Sequence, residues 1–547
     1  MKDFTISILI LAGGSINSKS PAADESTWDH PLMLPAGNEL ALHKIIDFYR
    51  DIANVSNIQV IIDKPLPCDV PLNLSGLVNI RQIQPMTKVV DTIDVSLKMA
   101  DSKWVLINPI TTLPTLKPEL KSQILIGDQL LYQEDWSSLY PDDDGNWNFS
   151  SKESDYKLER ASYPFTGIII SKKQWVQDIV NSLDPNKKAD MLNIAEQLYG
   201  KYKSVVKHTP WLDLGHRSTY ADCKMHRLAS RSYNQIKYYS SKNLLVKSSS
   251  DTTRLKAEKQ YLNDLPRELK RHFPYVLSQE DDHNDEHSIF MESIPFSNLA
   301  ELYLYHEIGL NRWHKIISRI YSVQAEFLEL STPISGNSSW LYSQKLNTRW
   351  DIFIDNSTLS DSIPWWERCL NINGANYMPL SYYVVELSKA LKPLESGSLL
   401  HLIHGDLCFN NILCDKLHCT IKLIDPRGHE TLSHGISNGY GDSRYDLAKL
   451  NHSIDGKYDS IVNNLFCLSW HDSNHIDFDI YVPSVKEFLS SMLHELSNHM
   501  NISDHEMTLL TTSLFFSMLP LHADNPIRQQ ALAFNGMMLI EGILSTY

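Results

Sequence analysis

Hydrophobic positions in the first ~220 residues alternate between short unbroken apolar runs and longer stretches with helical spacing. Residues 40–49 predict a helix, and residues 141–156, rich in Asp, Gly, Ser and Asn, predict a polar loop. The runs that predict buried strands are Ile6–Leu11, Ile58–Ile62, Trp104–Ile107 and Thr166–Ile170. Strands that alternate with helices are typical of a mostly parallel sheet with flanking helices, so we expect an α/β fold here.

The pattern changes near residue 227. An apolar run at residues 243–247 predicts a strand, and residues 254–262 have a helix-forming composition. Long helical periodicities then dominate, at residues 310–328, 381–391, 484–499, 504–516 and 528–544. We therefore predict an α+β second half with a large helical part.

Length supports a division into domains, because 547 residues exceed what one hydrophobic core usually holds. We expect domains at residues 1–225 and 226–547, the second with a small lobe (226–290) and a large lobe (291–547). No low-complexity linker separates them, and residues 220–228 read as helix. We therefore expect the two halves to pack against each other rather than move freely.

Candidate chemistry is concentrated between residues 404 and 428, where His404-Gly405-Asp406 opens the stretch. Phosphoryl transfer from ATP needs a carboxylate beside the accepting hydroxyl and oxygen ligands for the magnesium ions. Asp406 is the candidate catalytic carboxylate. Asn411, five positions later, and Asp425 are the candidate magnesium ligands.

Two short apolar runs separate these ligands, at residues 412–414 and 420–424, around a polar turn. Folded as a hairpin, they would bring Asn411 and Asp425 together at the open end. The alternative is a tight turn in which Asp406 caps a helix and two strands are simply buried.

Upstream residues fit the same chemistry. A kinase needs a lysine on a strand to hold the phosphates and a helical glutamate to hold that lysine. Lys247 ends the predicted strand, and Glu258 follows eleven residues later in the predicted helix. Met291 and Ile294 lie where backbone groups could meet adenine, although either could be a core residue. Residues 230–234 would form the turn over the phosphates, without the glycine-rich form.

At these motifs the second half resembles the aminoglycoside phosphotransferase and choline kinase superfamily, which has His-Gly-Asp in place of the His-Arg-Asp of protein kinases. The resemblance implies a bilobal protein-kinase-like fold, ATP and Mg²⁺ as cofactors, and a small hydroxyl compound as acceptor. Residues 444–450 match the Tyr-Asp-Leu-Ala helix start of that superfamily. We expect Asp446 there to be a helix cap or a loop anchor rather than a catalyst.

The first half resembles the sugar nucleotidyltransferases. Gly13, Gly14 and Asp213 match its glycine-rich turn and its later Asp-x-Gly. The departures from the family pattern are Ile16 for a glycine, Ser18 for an arginine, Pro31 for a lysine and Asn108 for an aspartate. Losing phosphate-neutralising cations and a metal ligand removes large electrostatic contributions to catalysis. We expect a Rossmann-like nucleotidyltransferase-like domain that is degenerate, with an active enzyme as the alternative.

Composition narrows the class of partner. A net charge of −15 argues against nucleic acid or an anionic membrane surface as the main partner. No run of eighteen apolar residues occurs, so we expect no membrane insertion. Seven scattered cysteines without a Cys-x-x-Cys pair favour reduced thiols in a cytoplasmic protein.

Three functions remain open from the sequence. The first is an ATP- and Mg²⁺-dependent kinase for a sugar, polyol or amino alcohol, which the fusion of the two resemblances associates with bacterial surface-polysaccharide biosynthesis. The others are a bifunctional kinase and nucleotidyltransferase, and a non-catalytic scaffold. Aromatic and acidic residues before the catalytic stretch could cage a quaternary ammonium group or could be ordinary packing: Trp340, Trp350, Asp351, Trp365, Trp366 and Glu367.

Overall fold

The computed structural model of this chain contains two groups of secondary-structure elements. It describes residues 5–13, 30–36, 39–52, 54–65, 77–86, 88–117, 119, 121–128, 137–151, 162–184, 189–210, 212–215, 234–239, 243–277, 288–294, 296–305, 308–356, 363–415, 417–427 and 439–544. These residues form two units, an N-terminal unit up to residue 215 and a C-terminal unit from residue 234. The predicted boundary at 225–226 and the predicted helix at 220–228 lie outside the described residues.

The N-terminal unit has a nine-stranded sheet at its centre. Its elements are β1 (Ile6–Leu11), α1 (Ala41–Arg50), β2 (Val55–Ile62), β3 (Val78–Gln82), α2 (Val89–Met99), β4 (Trp104–Pro109), β5 (Thr112–Leu113), β6 (Gln123–Gly127), β7 (Ser138–Pro141), β8 (Trp147–Ser150), β9 (Tyr163–Lys172), α3 (Lys173–Ser182), α4 (Met191–Tyr202), β10 (Val205–Thr209) and β11 (Leu212–Asp213).

The main strand order is β10-β6-β9-β4-β1-β2-β3. The pairs β1–β2, β1–β4, β2–β3 and β6–β10 are parallel, whereas β9 runs antiparallel to β4 and β6. This confirms the predicted parallel-rich α/β sheet. All six residues of β1 are buried, as expected for a central strand covered on both faces.

One prediction in this unit is wrong. Residues 141–156 were expected to form a polar loop, but β8 pairs with β7 as a hairpin around the turn at 142–146, and residues 152–156 lie outside the described residues. The Asp142 side chain accepts hydrogen bonds from the backbone N–H groups of Asp144 and Asn146 and so shapes the turn. The polar residues therefore form a tight turn. Their composition did not predict the half-buried strand β8 that follows the turn.

The C-terminal unit begins with a small antiparallel sheet and continues mainly in helices. Its elements are β12 (Asn234–Tyr239), β13 (Leu244–Ser249), α5 (Thr252–Asp264), α6 (Arg267–Lys270), β14 (Ser288–Glu292), β15 (Ser297–Asn298), α7 (Leu299–Tyr305), α8 (Leu310–Leu330), β16 (Ile334–Gly336), α9 (Ser343–Asn356), β17 (Leu370–Ile372), β18 (Ala375–Tyr377), α10 (Leu380–Glu395), β19 (Ser398–Leu402), β20 (Ile412–Asp415), β21 (Thr420–Leu423), β22 (Tyr440–Asp442), α11 (Arg444–Ile454), α12 (Tyr458–Val462), β23 (Phe466–Trp470), β24 (His475–Ile480), α13 (Lys486–His499), α14 (Asp504–Ser517) and α15 (Pro526–Leu544).

The predicted elements of this unit are present. Strand β13 lies between β12 and β14, and helix α5 follows it directly. Strands β20 and β21 form the predicted hairpin, with Ile412 opposite Leu423. The five predicted long helices correspond to α8, α10, α13, α14 and α15, each shifted by a few residues at its ends. Within the described residues, no helix combines the length and apolarity that crossing a membrane requires.

Candidate functional site

Three charged side chains meet where β13, α5 and the segment after β21 converge. Lys247 on β13 donates hydrogen bonds to both carboxylate oxygens of Glu258 on α5, at 2.9 and 2.6 Å. The same ammonium group also contacts Oδ1 of Asp425. Helix α5 places Glu258 on its buried face, and the antiparallel register places Lys247 opposite Ile289 of β14. The structure therefore unites three predicted site residues from distant parts of the chain.

Opposite charges favour the charged forms of Lys247 and Asp425 despite burial. Burial opposes protonation of Lys247, but Asp425 and Glu258 outweigh it and raise the pKa of Lys247 above its usual range. Burial raises the pKa of Glu258 against the pull of the lysine. At Asp425 burial is outweighed by Lys247, and the pKa is lowered. The side chain of Asp425 is 43% exposed, so part of this carboxylate still faces solvent.

Hydrogen bonds to backbone N–H groups hold the candidate catalytic loop in place. Asp446, in the first turn of α11, accepts hydrogen bonds from the N–H groups of His404 and Gly405 at 2.7 and 2.8 Å. Gly405 has φ +79°, and a Cβ there would lie 3.0 Å from Cβ of Arg427. Asp446 thus acts as a loop anchor, as predicted, and both the backbone conformation and the close approach of Arg427 favour glycine at the position before Asp406.

Two cations surround the carboxylate of Asp406. Arg427 donates from Nε and Nη2 to Oδ2, at 3.1 and 3.0 Å. Lys449 on α11 lies 2.9 Å from Oδ1. All three side chains are between 12% and 18% exposed, so the group is largely buried. Burial opposes protonation of Lys449, but Asp406 outweighs it and raises its pKa.

The predicted magnesium ligands lie at the open end of the β20–β21 hairpin. The backbone N–H of Ile424 donates to the carbonyl of Asn411 at 3.0 Å, which places Asp425 next to Asn411. The amide nitrogen of Asn411 donates to the carbonyl of Asp406 at 2.8 Å, so its Oδ1 is the atom that could bind a cation. An amide oxygen and a carboxylate fit Mg²⁺, which takes its other ligands from phosphates and water. Among the described residues, no group of three His, Cys, Asp or Glu side chains could hold a metal by itself.

The predicted adenine-facing residues are both buried, at 8% exposure each. Met291 packs with Leu255 and Ile289 in a small core cluster under the three-stranded sheet. The structure thus shows Met291 as a core residue. Of the predicted phosphate turn, residues 230–233 lie outside the described residues, and Asn234 opens β12.

Three of the tryptophans considered for an aromatic cage pack around Phe353. Phe353 of α9 contacts Trp350, Trp365 and Trp366, at centroid distances of 5.3, 6.3 and 5.2 Å. Trp365 also packs edge-on against Phe534 of α15 at 5.4 Å. Trp366 is buried, and Trp350 and Trp365 are half-buried, so these rings take part in packing between elements.

In the N-terminal unit, Asn108 has an internal structural role. It is fully buried at the end of β4, where the nucleotidyltransferase family has a metal-binding aspartate by resemblance. Its Oδ1 accepts from the Tyr49 hydroxyl at 2.7 Å, and its Nδ2 donates to the carbonyls of Pro109 and Thr112 at 2.6 and 2.8 Å. The side-chain amide is thus engaged at both ends.

Asp213 lies in a separate two-stranded sheet, opposite Thr112, the residue whose carbonyl Asn108 binds. Strand β11 pairs with β5, with Asp213 opposite Thr112. Asp213 is buried and accepts a hydrogen bond from the N–H of Gly215 at 3.0 Å, which closes the turn after β11. Gly13 follows β1, and a Cβ there would lie 3.2 Å from the carboxyl carbon of Asp63. Gly14, Ile16 and Ser18 lie outside the described residues.

No role was predicted from the sequence for Arg427 or Lys449, although they lie in the stretches 404–428 and 444–450. A usable signal was present for Lys449: it follows the loop anchor Asp446 by three positions on a helix, so both side chains share a face. No comparable local signal exists for Arg427, because its approach to Asp406 depends on the path of the chain after the hairpin.

No protein-family model and no curated protein sequence matches this chain. Solved structures match over about two fifths of it. A protein assigned as a glucose-1-phosphate thymidylyltransferase from Bacillus anthracis, in complex with a sucrose, shows 14% identity and a TM-score of 0.35, covering 42% of this chain and 97% of that one.

Two further structures are similar to the same extent. HddC from Yersinia pseudotuberculosis shows 17% identity and a TM-score of 0.30, covering 40% of this chain and 97% of that one. The inositol-1-phosphate CTP transferase from T. maritima shows 12% identity and a TM-score of 0.30, covering 39% and 91%. Identities and TM-scores at this level do not establish membership of a family.

Proposed function

We propose that the C-terminal unit is an ATP- and Mg²⁺-dependent kinase that phosphorylates a hydroxyl group of a small molecule. The observation that carries this proposal is the contact of Lys247 with both Glu258 and Asp425, residues 11 and 178 positions away in the chain. A phosphate-holding lysine, its glutamate partner and a metal-binding aspartate are the parts that kinase chemistry brings together. The comparisons with known proteins do not bear on this proposal.

Each residue has a definite task in the proposed reaction. Asp406 accepts the proton of the acceptor hydroxyl as its oxygen attacks the γ-phosphorus. Lys247, oriented by Glu258, donates hydrogen bonds to the α- and β-phosphates. Asn411 and Asp425 would hold Mg²⁺, which neutralises the negative charge on the phosphate oxygens when bound. The backbone contacts of Asp446 keep the loop that carries Asp406 in place.

The experiment that tests this function is ATP turnover with a panel of sugars, polyols and amino alcohols, using wild type and Asp406→Asn. Loss of the base should reduce turnover at least about a hundredfold, with little change in nucleotide affinity. Because Asp406 also pairs with Arg427 and Lys449, circular dichroism must first show that the variant is folded. Undiminished phosphotransfer in a folded variant would refute the role of Asp406. Absence of Mg²⁺-ATP binding to the wild type would refute the kinase itself and leave the scaffold alternative.

A second candidate is nucleotidyl transfer by the N-terminal unit, which would make the chain bifunctional. The thymidylyltransferase and the CTP transferase described above belong to this class by name, and neither they nor HddC is named as a kinase. The buried position of Asp213 beside β5 is consistent with this candidate. Asn108 opposes it, because its amide is engaged by Tyr49 and two backbone carbonyls.

Pyrophosphate release decides between the candidates. The full chain is incubated with each nucleoside triphosphate and a set of sugar and alcohol phosphates, and pyrophosphate is measured against ADP formation. Pyrophosphate that survives Asp406→Asn and is lost in Asp213→Asn would establish the second candidate. ADP without pyrophosphate would support the kinase alone.

A further inference from the structure

The surroundings of Asp406 carry a surplus of positive charge. Asp406 supplies one negative charge, whereas Arg427 and Lys449 supply one positive charge each, at 3.0 and 2.9 Å. The nearby Arg444 does not add to this surplus, because Asp442 binds it at 2.6 Å. Lys247 is shared by Glu258 and Asp425, so that neighbouring group has one negative charge in excess, which Mg²⁺ at Asp425 would balance in the proposed reaction.

Both cations keep hydrogen-bond donors for a further partner. A guanidinium group has five N–H bonds and an ammonium group has three. Arg427 uses Nε and Nη2 on Asp406, and within the part of the chain described here its Nη1 has no contact. The ammonium group of Lys449 contacts Asp406 and lies 5.8 Å from the ring centre of Tyr445.

A third lysine, Lys345, contacts Tyr445, which precedes the loop anchor Asp446 on α11. Lys345 of α9 donates a hydrogen bond to the Tyr445 hydroxyl at 3.0 Å, and its ammonium group is 5.2 Å from the ring centre. Tyr445 therefore contacts both Lys345 and Lys449.

We propose that Arg427 and Lys449 form an anion-binding subsite, and that the accepting hydroxyl belongs to an anionic compound with a phosphate or carboxylate group near that hydroxyl. The identity of the acceptor class rests on the proposed kinase function. Like charges at short range in a partly desolvated site repel, so a cationic amino alcohol is disfavoured there. A guanidinium and an ammonium group beside each other suit oxyanions, since charge-assisted hydrogen bonds to such groups are short and strong.

The subsite takes no part in the bond changes. The acceptor oxygen forms a bond to the γ-phosphorus, the bond from that phosphorus to the ADP oxygen breaks, and the hydroxyl proton passes to Asp406. Arg427 and Lys449 donate hydrogen bonds to the anionic group of the acceptor and orient its hydroxyl. They are positioning residues for the acceptor.

Binding of inorganic phosphate to the full chain, in the presence of saturating Mg²⁺-ADP, tests the subsite without turnover. Titration calorimetry on the wild type should show phosphate binding. It should weaken about tenfold or more in Lys449→Gln, the effect of one charge-assisted hydrogen bond, and should persist in Lys449→Arg. Lys389→Gln is the matched control, because that exposed lysine pairs with Glu386 on the surface of α10. Equal phosphate affinity in wild type and Lys449→Gln, or no phosphate binding by the wild type, would overturn the subsite.

Acceptor preference tests the substrate class. Glycerol 3-phosphate, glycerol and choline present a hydroxyl beside an anionic, a neutral and a cationic group. In ATP turnover, the anionic compound should have the highest kcat/KM, and Lys449→Gln should raise its KM more than it lowers kcat. Choline as the best acceptor would overturn the anionic class while leaving the kinase intact. Failure of Mg²⁺-ADP to bind would instead count against the kinase.

Discussion

At the residue scale, the stability of the candidate site depends strongly on Lys247, which contacts two carboxylates. Its replacement by Met leaves the buried Glu258 without its partner and Asp425 without a counter-charge. Breaking a buried ion pair from one side costs about 3–5 kcal/mol, so we expect Lys247→Met to unfold at lower urea and to lose Mg²⁺-ATP binding. Lys237→Met on the exposed face of β12 is the control. A midpoint for Lys247→Met equal to that of the control would contradict the energetic role of this cluster.

Gly405 is the second residue with a testable constraint. An alanine there meets Cβ of Arg427 at 3.0 Å in addition to the left-handed backbone at φ +79°. Gly374 has nearly the same φ of +84°, but no heavy atom of the described residues lies within 4 Å of the added Cβ. Gly374→Ala should therefore lose about 1 kcal/mol from the backbone conformation alone, and Gly405→Ala should lose more, together with ATP turnover. Equal unfolding free energies for the two variants, by urea denaturation, would show that Arg427 yields without strain.

At the scale of elements, helix α11 anchors the catalytic loop through Asp446, and this contact should depend on pH. Burial raises the pKa of Asp446 to about 7, although the N–H groups of His404 and Gly405 pull it down. The folded-state pKa lies above the ordinary 3.8, so the folded protein retains a proton that the unfolded chain releases. The stability from this group is complete below about pH 4 and is lost as the pH rises through about 7.

The measurement is the difference in unfolding free energy between wild type and Asp446→Asn from pH 4 to 8. We expect this difference to shift against the wild type as the pH rises, because only the wild type carries the titrating carboxyl. A difference that is flat with pH would mean that Asp446 is ionised throughout.

The end of strand β4 supports a second prediction at this scale. Asn108→Asp would restore the acidic residue of the nucleotidyltransferase pattern, but it would place a carboxylate against the carbonyls of Pro109 and Thr112. We expect it to destabilise the N-terminal unit by about 2–5 kcal/mol and to give no pyrophosphate release. Tyr49→Phe, which removes only the donor to Oδ1, should cost about 1–3 kcal/mol. A stable Asn108→Asp variant with new activity would show that this corner can still hold a metal.

At the scale of the whole molecule, the two units should differ in their response to nucleotide. Hydrogen–deuterium exchange of the full chain with Mg²⁺-ATP should show protection in β12–β14 and in residues 404–427, because these carry the candidate phosphate and metal ligands. At about 100 times its dissociation constant, the ligand adds about 2.7 kcal/mol of stability to the state that binds it. Residues 5–13 and 104–113 should exchange unchanged. Protection there instead would favour nucleotide binding by the N-terminal unit.

The sequence by itself determined the periodic elements and the order of the candidate catalytic residues. Apolar runs and helical spacing respond to burial over a few residues, so β1, β13 and the five long helices were predictable to within a few residues at their ends. The hairpin that joins Asn411 to Asp425 was predictable for the same reason, since its strands are neighbours in the chain. The turn at 142–146 was predicted as part of a longer loop, because a tight turn and a loop share the same polar composition.

Tertiary structure alone decided what surrounds each candidate. Arg427 and Lys449 reach Asp406 from positions 21 and 43 residues further along the chain, and Tyr49 reaches Asn108 across 59 positions. Such contacts depend on how separate elements pack, because the stability of a buried charge or amide comes from partners that local sequence does not specify. The cations around Asp406 and the hydrogen bonds of the Asn108 side chain could therefore be identified only in the folded structure.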